Sequence, residues 1–194
     1  MPTRTLFLSG AGTVVLPDER LVLVGREDGG NLIVHPPRAV WERSELTTDE
    51  LTRWSFLVAA TGRAMLDALP QLEGGCINYW EAGNWALNDA AEPRGPKRAP
   101  DHRSVHTHLL GRSRTATDPS WRWGEAPRFP DFATRHAWAA NHERLTADEC
   151  IAIVARLLML LSDKYDIATG SPQPCRVCGY PAPRDGHAEC GAAT

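Results

Sequence analysis

The chain has 194 residues, of which 42% are hydrophobic and 23% are charged. A chain of this length can bury one sizeable core and leaves room for a small appendage. Its formal net charge of -3 gives no overall basic character, so composition does not favour a nucleic-acid-binding protein. No run of about 18 apolar residues predicts a membrane span, and the N-terminal segment lacks the pattern of a signal peptide. A cytoplasmic protein without a membrane partner is therefore expected.

Three short apolar runs near the N-terminus predict β-strands. They cover residues 13–16, 21–25 and 32–35, contain several β-branched side chains and are separated by turn-forming sequence. Pro36 and Pro37 end the third strand, because proline cannot donate a hydrogen bond to a strand ladder.

Two capping boxes predict the starts of two amphipathic helices. Thr47 with Glu50, and Thr146 with a glutamate three residues later, have the spacing at which side chains satisfy the first free amides of a helix. Apolar residues then recur at helical spacing, which predicts one helix over roughly 47–68 and another that ends at about Tyr165.

A further strand is predicted over 76–80, and long irregular segments follow it. Residues 86–103 form a loop rich in proline and basic side chains, which is either a solvated surface segment or a contact for phosphate. The candidate phosphate donors of this region are Lys97, Arg98, Arg103 and Arg112. Residues 113–135 are also irregular, and a loop of this length in a compact domain is often functional.

Two histidines alternate along the predicted strand that spans 104–112. Strict alternation places His106 and His108 on one face of a strand, about 7 Å apart. Two imidazoles held in this way can act on a phosphate or bind a metal, and a metal site would take His102 as its third ligand with an open fourth position. The structural alternative is a pair of partly buried histidines with satisfied hydrogen bonds.

The order of these elements resembles the histidine triad (HIT) superfamily over roughly residues 10–115. The similar features are the strand that ends in Pro-Pro, the capped helix, Asn78 on the next strand, the Gly83-Asn84 turn and the alternating segment that begins at Ser104. The resemblance implies an α+β fold with an antiparallel sheet, a helix packed against it, and here an added C-terminal helix and small zinc-binding tail.

The resemblance also implies a covalent mechanism at the α-phosphate of a nucleotide. His106 matches the nucleophile that forms a nucleotidyl-histidine, and His108 matches the histidine that contacts phosphate oxygens and assists the leaving group. Ser104 occupies the slot of the first triad histidine, which normally orients the nucleophile. The substrate-binding residues expected from these matches and their surroundings are Asn78, Gly83, Asn84, His102 and Arg112.

The implied activity is hydrolysis of a dinucleoside polyphosphate or a nucleoside phosphoramidate, with no cofactor required for catalysis. A nucleotidyltransferase or phosphorylase is one alternative, although such members often have glutamine where this chain has His108. A non-catalytic module that binds nucleotide or nucleic acid is another, with Ser104 marking the loss of turnover. Homodimers are common in the superfamily, so a second copy of the chain is a candidate partner.

The remaining histidines, tryptophans and isolated cysteines are expected to have structural roles. His35, His136 and His142 lack the context of the histidine strand and are interpreted as structural or surface residues. Cys76 is expected to be buried in a strand and Cys150 to lie on a helix face. Packing of the core and of a covering loop is favoured over ligand stacking for Trp80, Trp85, Trp121 and Trp123.

The C-terminal segment carries a set of metal-ligating side chains. An odd number of cysteines, five in all, suits a reducing compartment better than a disulfide framework. A closed Cys3His site for structural zinc is predicted from Cys175, Cys178, His187 and Cys190. A redox Cys-x-x-Cys or a disordered tail with free thiols is the alternative. The predicted organisation is a HIT-like domain over 1–168 and a linker with the zinc tail over 169–194.

Replacement of Cys190 by serine tests the zinc assignment. The full-length protein should carry about one zinc ion per chain, and Cys190→Ser should lose most of it because three ligands hold the ion less tightly than four. Elemental analysis of the purified proteins measures the content. Cys76→Ser, outside the predicted set, is the control, and equal zinc in both variants would contradict the assignment.

Overall fold

The computed structural model describes residues 3–167, together with 173–174 and 181–182. The five long strands are β1 (Arg4–Ser9), β2 (Gly12–Leu16), β3 (Asn31–His35), β4 (Cys76–Ala82) and β5 (His106–Arg112). They form one antiparallel sheet in the order β1-β2-β3-β5-β4. Four of these strands confirm the predicted ones, and β1 is an additional strand at one edge.

Two long helices cover one face of the sheet. Helix α1 (Thr48–Ala68) packs against helix α4 (Ala147–Tyr165), and both helices contact sheet strands. Both predicted capping boxes are present, with the threonine hydroxyl and the glutamate carboxylate each accepting a backbone amide hydrogen. The main core lies between these helices and the sheet, which confirms the α+β class and the packed helix. Its members include Val14, Leu32, Trp54, Leu57, Leu109, Ile153 and Leu157.

One predicted strand is wrong. Residues Glu19–Leu21 form a short 3-10 helix, and the chain then runs irregularly instead of pairing in the sheet. The amides of Leu23 and Val24 donate to the side-chain oxygen of Asn31, at 3.1 and 3.4 Å, so a side chain replaces the ladder partner. The apolar run is therefore explained by burial against the second face of the sheet.

The long loop 113–135 covers part of that second face. Arg112 donates to the carbonyl oxygens of Arg122 and Glu125 at 2.7 and 2.9 Å. The indole of Trp121 donates to the Gly111 carbonyl, and a small apolar cluster forms around it. The loop thus lacks regular structure but is fixed to the end of β5, and it leaves the histidine end of this face less covered.

Two short helices lie next to the long loops, and the two cysteines of this part of the chain differ in burial. Helix α2 (Ala99–His102) interrupts the predicted basic loop, and helix α3 (Arg135–Ala139) follows the long loop. Cys150 is buried on α4, whereas Cys76 is exposed because it begins the edge strand β4, so its predicted burial is wrong.

The predicted linker and the zinc ligands lie outside the described residues. Of that region only strands β6 (Gln173–Pro174) and β7 (Pro181–Ala182) are described, and they pair antiparallel to each other. Within the described ranges, no helix is long and apolar enough to cross a membrane.

Removal of the first cap tests how much α1 depends on it. Thr47 accepts from the Glu50 amide at 3.3 Å, and Glu50 accepts from the Thr47 amide at 2.8 Å. Thr47→Ala should lower the free energy of unfolding by about 1 kcal/mol in urea titrations. Ser55→Ala is the matched control, because that exposed hydroxyl bonds within the same helix and alanine is the better helix former. Equal loss in both variants would contradict a specific capping effect.

Candidate active site

His106 and His108 lie on the same face of β5, as their alternation predicts. Their ring centroids are 4.9 Å apart, and the two Nε2 atoms lie 3.1 Å from each other. This is close enough for one imidazole to donate a hydrogen bond to the other. The strand therefore holds two imidazoles in direct contact, which a flexible loop would not do.

A backbone carbonyl selects the tautomer of His106. Its Nδ1 lies 2.9 Å from the carbonyl oxygen of Ser104, and a carbonyl can only accept a hydrogen bond. We therefore assign the proton to Nδ1, which leaves a lone pair on Nε2. His108 must then carry its proton on Nε2 and donate it toward that lone pair. In this state His106 is a neutral nitrogen nucleophile.

The Ser104–His106 segment is fixed by its neighbours. Val105 is fully buried, and its amide donates to the Val40 carbonyl at 2.8 Å. Gly83 has φ +132°, and a side chain there would start only 3.2 Å from the Ser104 carbonyl oxygen. The predicted Gly83-Asn84 turn is therefore present, and the lack of a Cβ allows the turn to pass this carbonyl closely. Ser104, which occupies the slot of the first triad histidine, contacts His106 through its backbone carbonyl.

Burial keeps both rings neutral. It lowers the pKa of His106, while the hydrogen bond to Ser104 and the charge of Glu81 oppose this shift and Arg103 adds to it. His108 is only 7% exposed, and burial lowers its pKa to about 3, with His106 and His35 as further causes. Desolvation disfavours the charged form of a histidine, so both rings are neutral at neutral pH.

His35 is a third histidine of the site, although the sequence analysis assigned it a structural role. Its ring centroid is 5.3 Å from that of His106. Burial lowers its pKa to about 4, and His106 is a further cause. The antiparallel register pairs Ile33 with His108 and Val34 with Thr107, so His35 comes beside His106 one residue further along. The sequence shows that His35 ends a strand, but it does not show which strand lies next to it.

The predicted ribose or phosphate contact, Asn78, shares the sheet face but not the immediate site. It pairs with Leu110 on β5, whereas Trp80 pairs with His108 and Ala82 with His106. Trp80 therefore stands between Asn78 and the nucleophile. Asn84 follows Gly83 and is exposed beside the Ser104 turn, where a ligand can reach it.

Aromatic side chains form one wall of the site. Trp80 lies 5.3 Å from His108 and stacks on Phe129 of the long loop at 4.6 Å, measured between ring centroids. Trp121 belongs to the same loop and is buried, which confirms its predicted packing role, and Trp85 packs against this cluster. Trp123 is instead 39% exposed. The wall excludes water from His108 on this side.

The basic residues expected to grip phosphate are engaged elsewhere. Lys97 donates to the carbonyls of Asn88 and Gly95, and Arg98 pairs with Asp101. Arg112 is buried and fixes the long loop through Nη2, and its predicted contact with substrate stays a prediction. Arg103 donates to Glu42 and to the Trp41 carbonyl. These side chains shape the loops around the site, and only the charge of Arg103 is felt at His106.

His102 does not join the histidine face, because it ends the exposed helix α2 before the strand begins. The alternative in which His102 is the third ligand of a metal is therefore wrong, and its predicted contact with substrate stays a prediction. Within the described residues, no group of three or more histidine, cysteine, aspartate or glutamate side chains is arranged to hold a metal ion. His136 is exposed.

His142 lies in a separate part of the fold. Its Nδ1 is 2.8 Å from the Trp138 carbonyl and its Nε2 is 2.9 Å from Asp118. It lines a cleft of about 510 Å³ that does not include the histidine pair. These contacts tie the long loop to the end of α3, which agrees with the predicted structural role of His142.

Solved structures that are similar to this chain include two histidine triad proteins. One, from Marinobacter aquaeolei VT8, is 20% identical and aligns with 83% of this chain and 90% of its own, with a TM-score of 0.45. A hypothetical histidine triad nucleotide-binding protein from Sulfolobus tokodaii strain7 is 14% identical over 88% and 93%, also with a TM-score of 0.45. No family model and no curated protein matches the chain. The chemistry of the site is therefore inferred from its own geometry.

The lowered pKa values predict that acid destabilises the fold. An unfolded histidine has a pKa of about 6.5, whereas the folded values are about 4 for His35 and about 3 for His108. Below about pH 6.5 the unfolded chain binds more protons than the folded chain. The free energy of unfolding therefore decreases as the pH is lowered, by at most about 1.4 kcal/mol per pH unit for each histidine. Urea titrations at about pH 7.5 and about pH 5 measure the loss.

His108→Gln should reduce this pH dependence, because an amide does not titrate in this range. The control is His136→Gln, which removes an exposed histidine and should keep the dependence of the parent. The same loss in all three proteins would show that His108 is not held neutral by burial.

Proposed function

We propose that this protein hydrolyses a nucleotide derivative at its α-phosphate, with His106 as the nucleophile. The observation that carries the proposal is the hydrogen bond from His106 Nδ1 to the Ser104 carbonyl. This bond leaves Nε2 without a proton, and the lone pair of Nε2 faces Nε2–H of His108. A neutral imidazole with one nitrogen held and the other free is suited to nucleophilic attack on phosphorus. The nucleotide as substrate follows from the resemblance of the sequence to the HIT superfamily.

The same hydrogen bond supports the covalent intermediate. When Nε2 bonds to phosphorus, the ring keeps its Nδ1 proton and becomes positively charged. The Ser104 carbonyl and the charge of Glu81 both favour a positive charge on this ring, since both raise the pKa of His106 against the larger effect of burial. The nucleotidyl-histidine is therefore stabilised by groups that are already in position.

Two features support binding of the phosphate itself. An incoming phosphate can replace the contact between the two rings, so that His108 Nε2–H donates to a phosphate oxygen. The positive charge of Arg103, which is felt at His106, attracts the anion through space, although its Nη1 donates to Glu42 and to the Trp41 carbonyl. No metal ion is required in this mechanism.

Hydrolysis is favoured over nucleotidyl transfer by the residue at position 108. A histidine there matches the hydrolase type of the superfamily, where transferases often have glutamine. A binding module without turnover is the other class of function. It is favoured by the presence of Ser104 in the slot of the first triad histidine. The contact from the Ser104 backbone weakens that argument, because the orientation of His106 does not need a side chain at this position.

Replacement of the nucleophile tests the proposal. Diadenosine polyphosphates and adenosine 5′-phosphoramidates are mixed with the full-length protein, and the intact mass is recorded after a quench in mild base. We expect an added nucleoside monophosphate on the parent and free monophosphate in solution, and neither with His106→Ala, because alanine offers no nucleophile.

The control is His136→Ala, which removes an exposed histidine outside the predicted site and should leave adduct and product unchanged. Nucleotide binding without any adduct on the parent would reject the enzyme and favour the binding module.

A further inference from the structure

The leaving group is selected by the protons that the site can supply. Attack on phosphorus leaves the electron pair of the broken bond on the departing atom. An alkylamine needs a proton in order to depart, whereas a phosphate anion departs without one. The state of each titratable group around His106 therefore determines which leaving groups the site can serve.

His108 carries one proton and has no second one to give. Its Nε2 faces Nε2 of His106 at 3.1 Å, and its Nδ1 is buried without a hydrogen-bond partner among the described residues. Trp80 lies against the ring on the side of β4. Protonation of Nδ1 would place a cation in this unpartnered position, which agrees with a pKa of about 3 set mainly by burial. His108 thus donates a hydrogen bond but does not act as an imidazolium acid.

Among the residues that the structure describes, the neighbouring elements supply no better acid. From β3, His35 faces the nucleophile, and burial holds its pKa at about 4. From β4, Glu81 is paired through one carboxylate oxygen with Arg43 and through the other with Arg103, so both oxygens face a positive charge. The long loop contributes Phe129, which has no proton to give. Arginine does not release a proton at any relevant pH.

From these contacts we infer that the site serves weakly basic leaving groups, as in nucleoside and dinucleoside polyphosphates, and discriminates against phosphoramidates of alkylamines. The inference rests on the proposed function and selects between its two substrate types. In this inference His108 binds a phosphate oxygen and does not protonate the leaving group.

The first step then moves no proton. The lone pair on His106 Nε2 forms the bond to phosphorus, the bond from phosphorus to the bridging oxygen breaks, and its electron pair leaves on the released phosphate. The Nδ1 proton stays in its hydrogen bond to Ser104. In the second step a water oxygen bonds to phosphorus, the electron pair of the nitrogen–phosphorus bond returns to Nε2, and the proton of the water passes to solvent.

A series of leaving groups on one nucleotide tests the inference. Three adenosine 5′-monophosphate derivatives carry 4-nitrophenol, phenol or ethylamine on phosphorus, and the full-length protein is used in excess so that adduct formation is timed directly. All three compounds carry the same adenosine 5′-monophosphate group, so recognition of the nucleotide does not affect the comparison of their rates. We expect the phenyl ester to form adduct at least about 100-fold more slowly than the 4-nitrophenyl ester, and the ethylamide to form none.

The variant His108→Gln separates hydrogen bonding from proton transfer. Glutamine keeps a donor without a titratable proton, so it should slow both esters by the same factor. Equal rates for the two esters of the parent protein, adduct from the ethylamide, or a selective loss of the phenyl ester in the variant would overturn the inference and leave the proposed function standing. No adduct from the 4-nitrophenyl ester would overturn both.

Discussion

The hydrogen bond between His106 Nδ1 and the Ser104 carbonyl is the constraint on which the site depends. A carbonyl accepts and never donates, so the bond fixes which nitrogen carries the proton. The bond can do this only because the segment before it is rigid: Val105 is buried and its amide is tied to Val40. The same contact supports a positive ring once Nε2 is bonded, so it serves the resting state and the proposed intermediate.

The antiparallel sheet gathers the other members of the site. Because β5 lies between β3 and β4, a residue of each neighbouring strand comes beside each histidine. His35 reaches His106 in this way, and Trp80 reaches His108. The opposite faces of these strands carry the core against α1 and α4. The packing that stabilises the fold and the geometry of the site are therefore set by the same register, and a slip of one residue would destroy both.

Desolvation has opposite consequences for stability and for chemistry at this site. The three neighbouring imidazoles are partly or fully withdrawn from water, and each has a lowered pKa. Nucleophilic attack requires neutral rings. In acid, however, the unfolded chain binds protons that the folded site does not bind, and this lowers the free energy of unfolding. The long loop takes part in this balance, since Phe129 stacks on Trp80 and shields His108. A loop with no regular structure thus helps to keep the histidine pair out of water.

The sequence by itself determined the elements that depend on local patterns: the two capped helices, four of the five strands, the glycine turn, and the shared face of His106 and His108. These features arise from spacing and capping chemistry within a short stretch of chain. The prediction of a strand over 21–25 was wrong, because an apolar run alone does not distinguish a strand from an irregular segment whose amides donate to Asn31. Only the tertiary structure decided that His35 joins the pair, that Arg112 holds a loop, and that the Ser104 carbonyl orients His106. Each of these depends on which segments lie side by side, and that choice is made by the packing of the whole core.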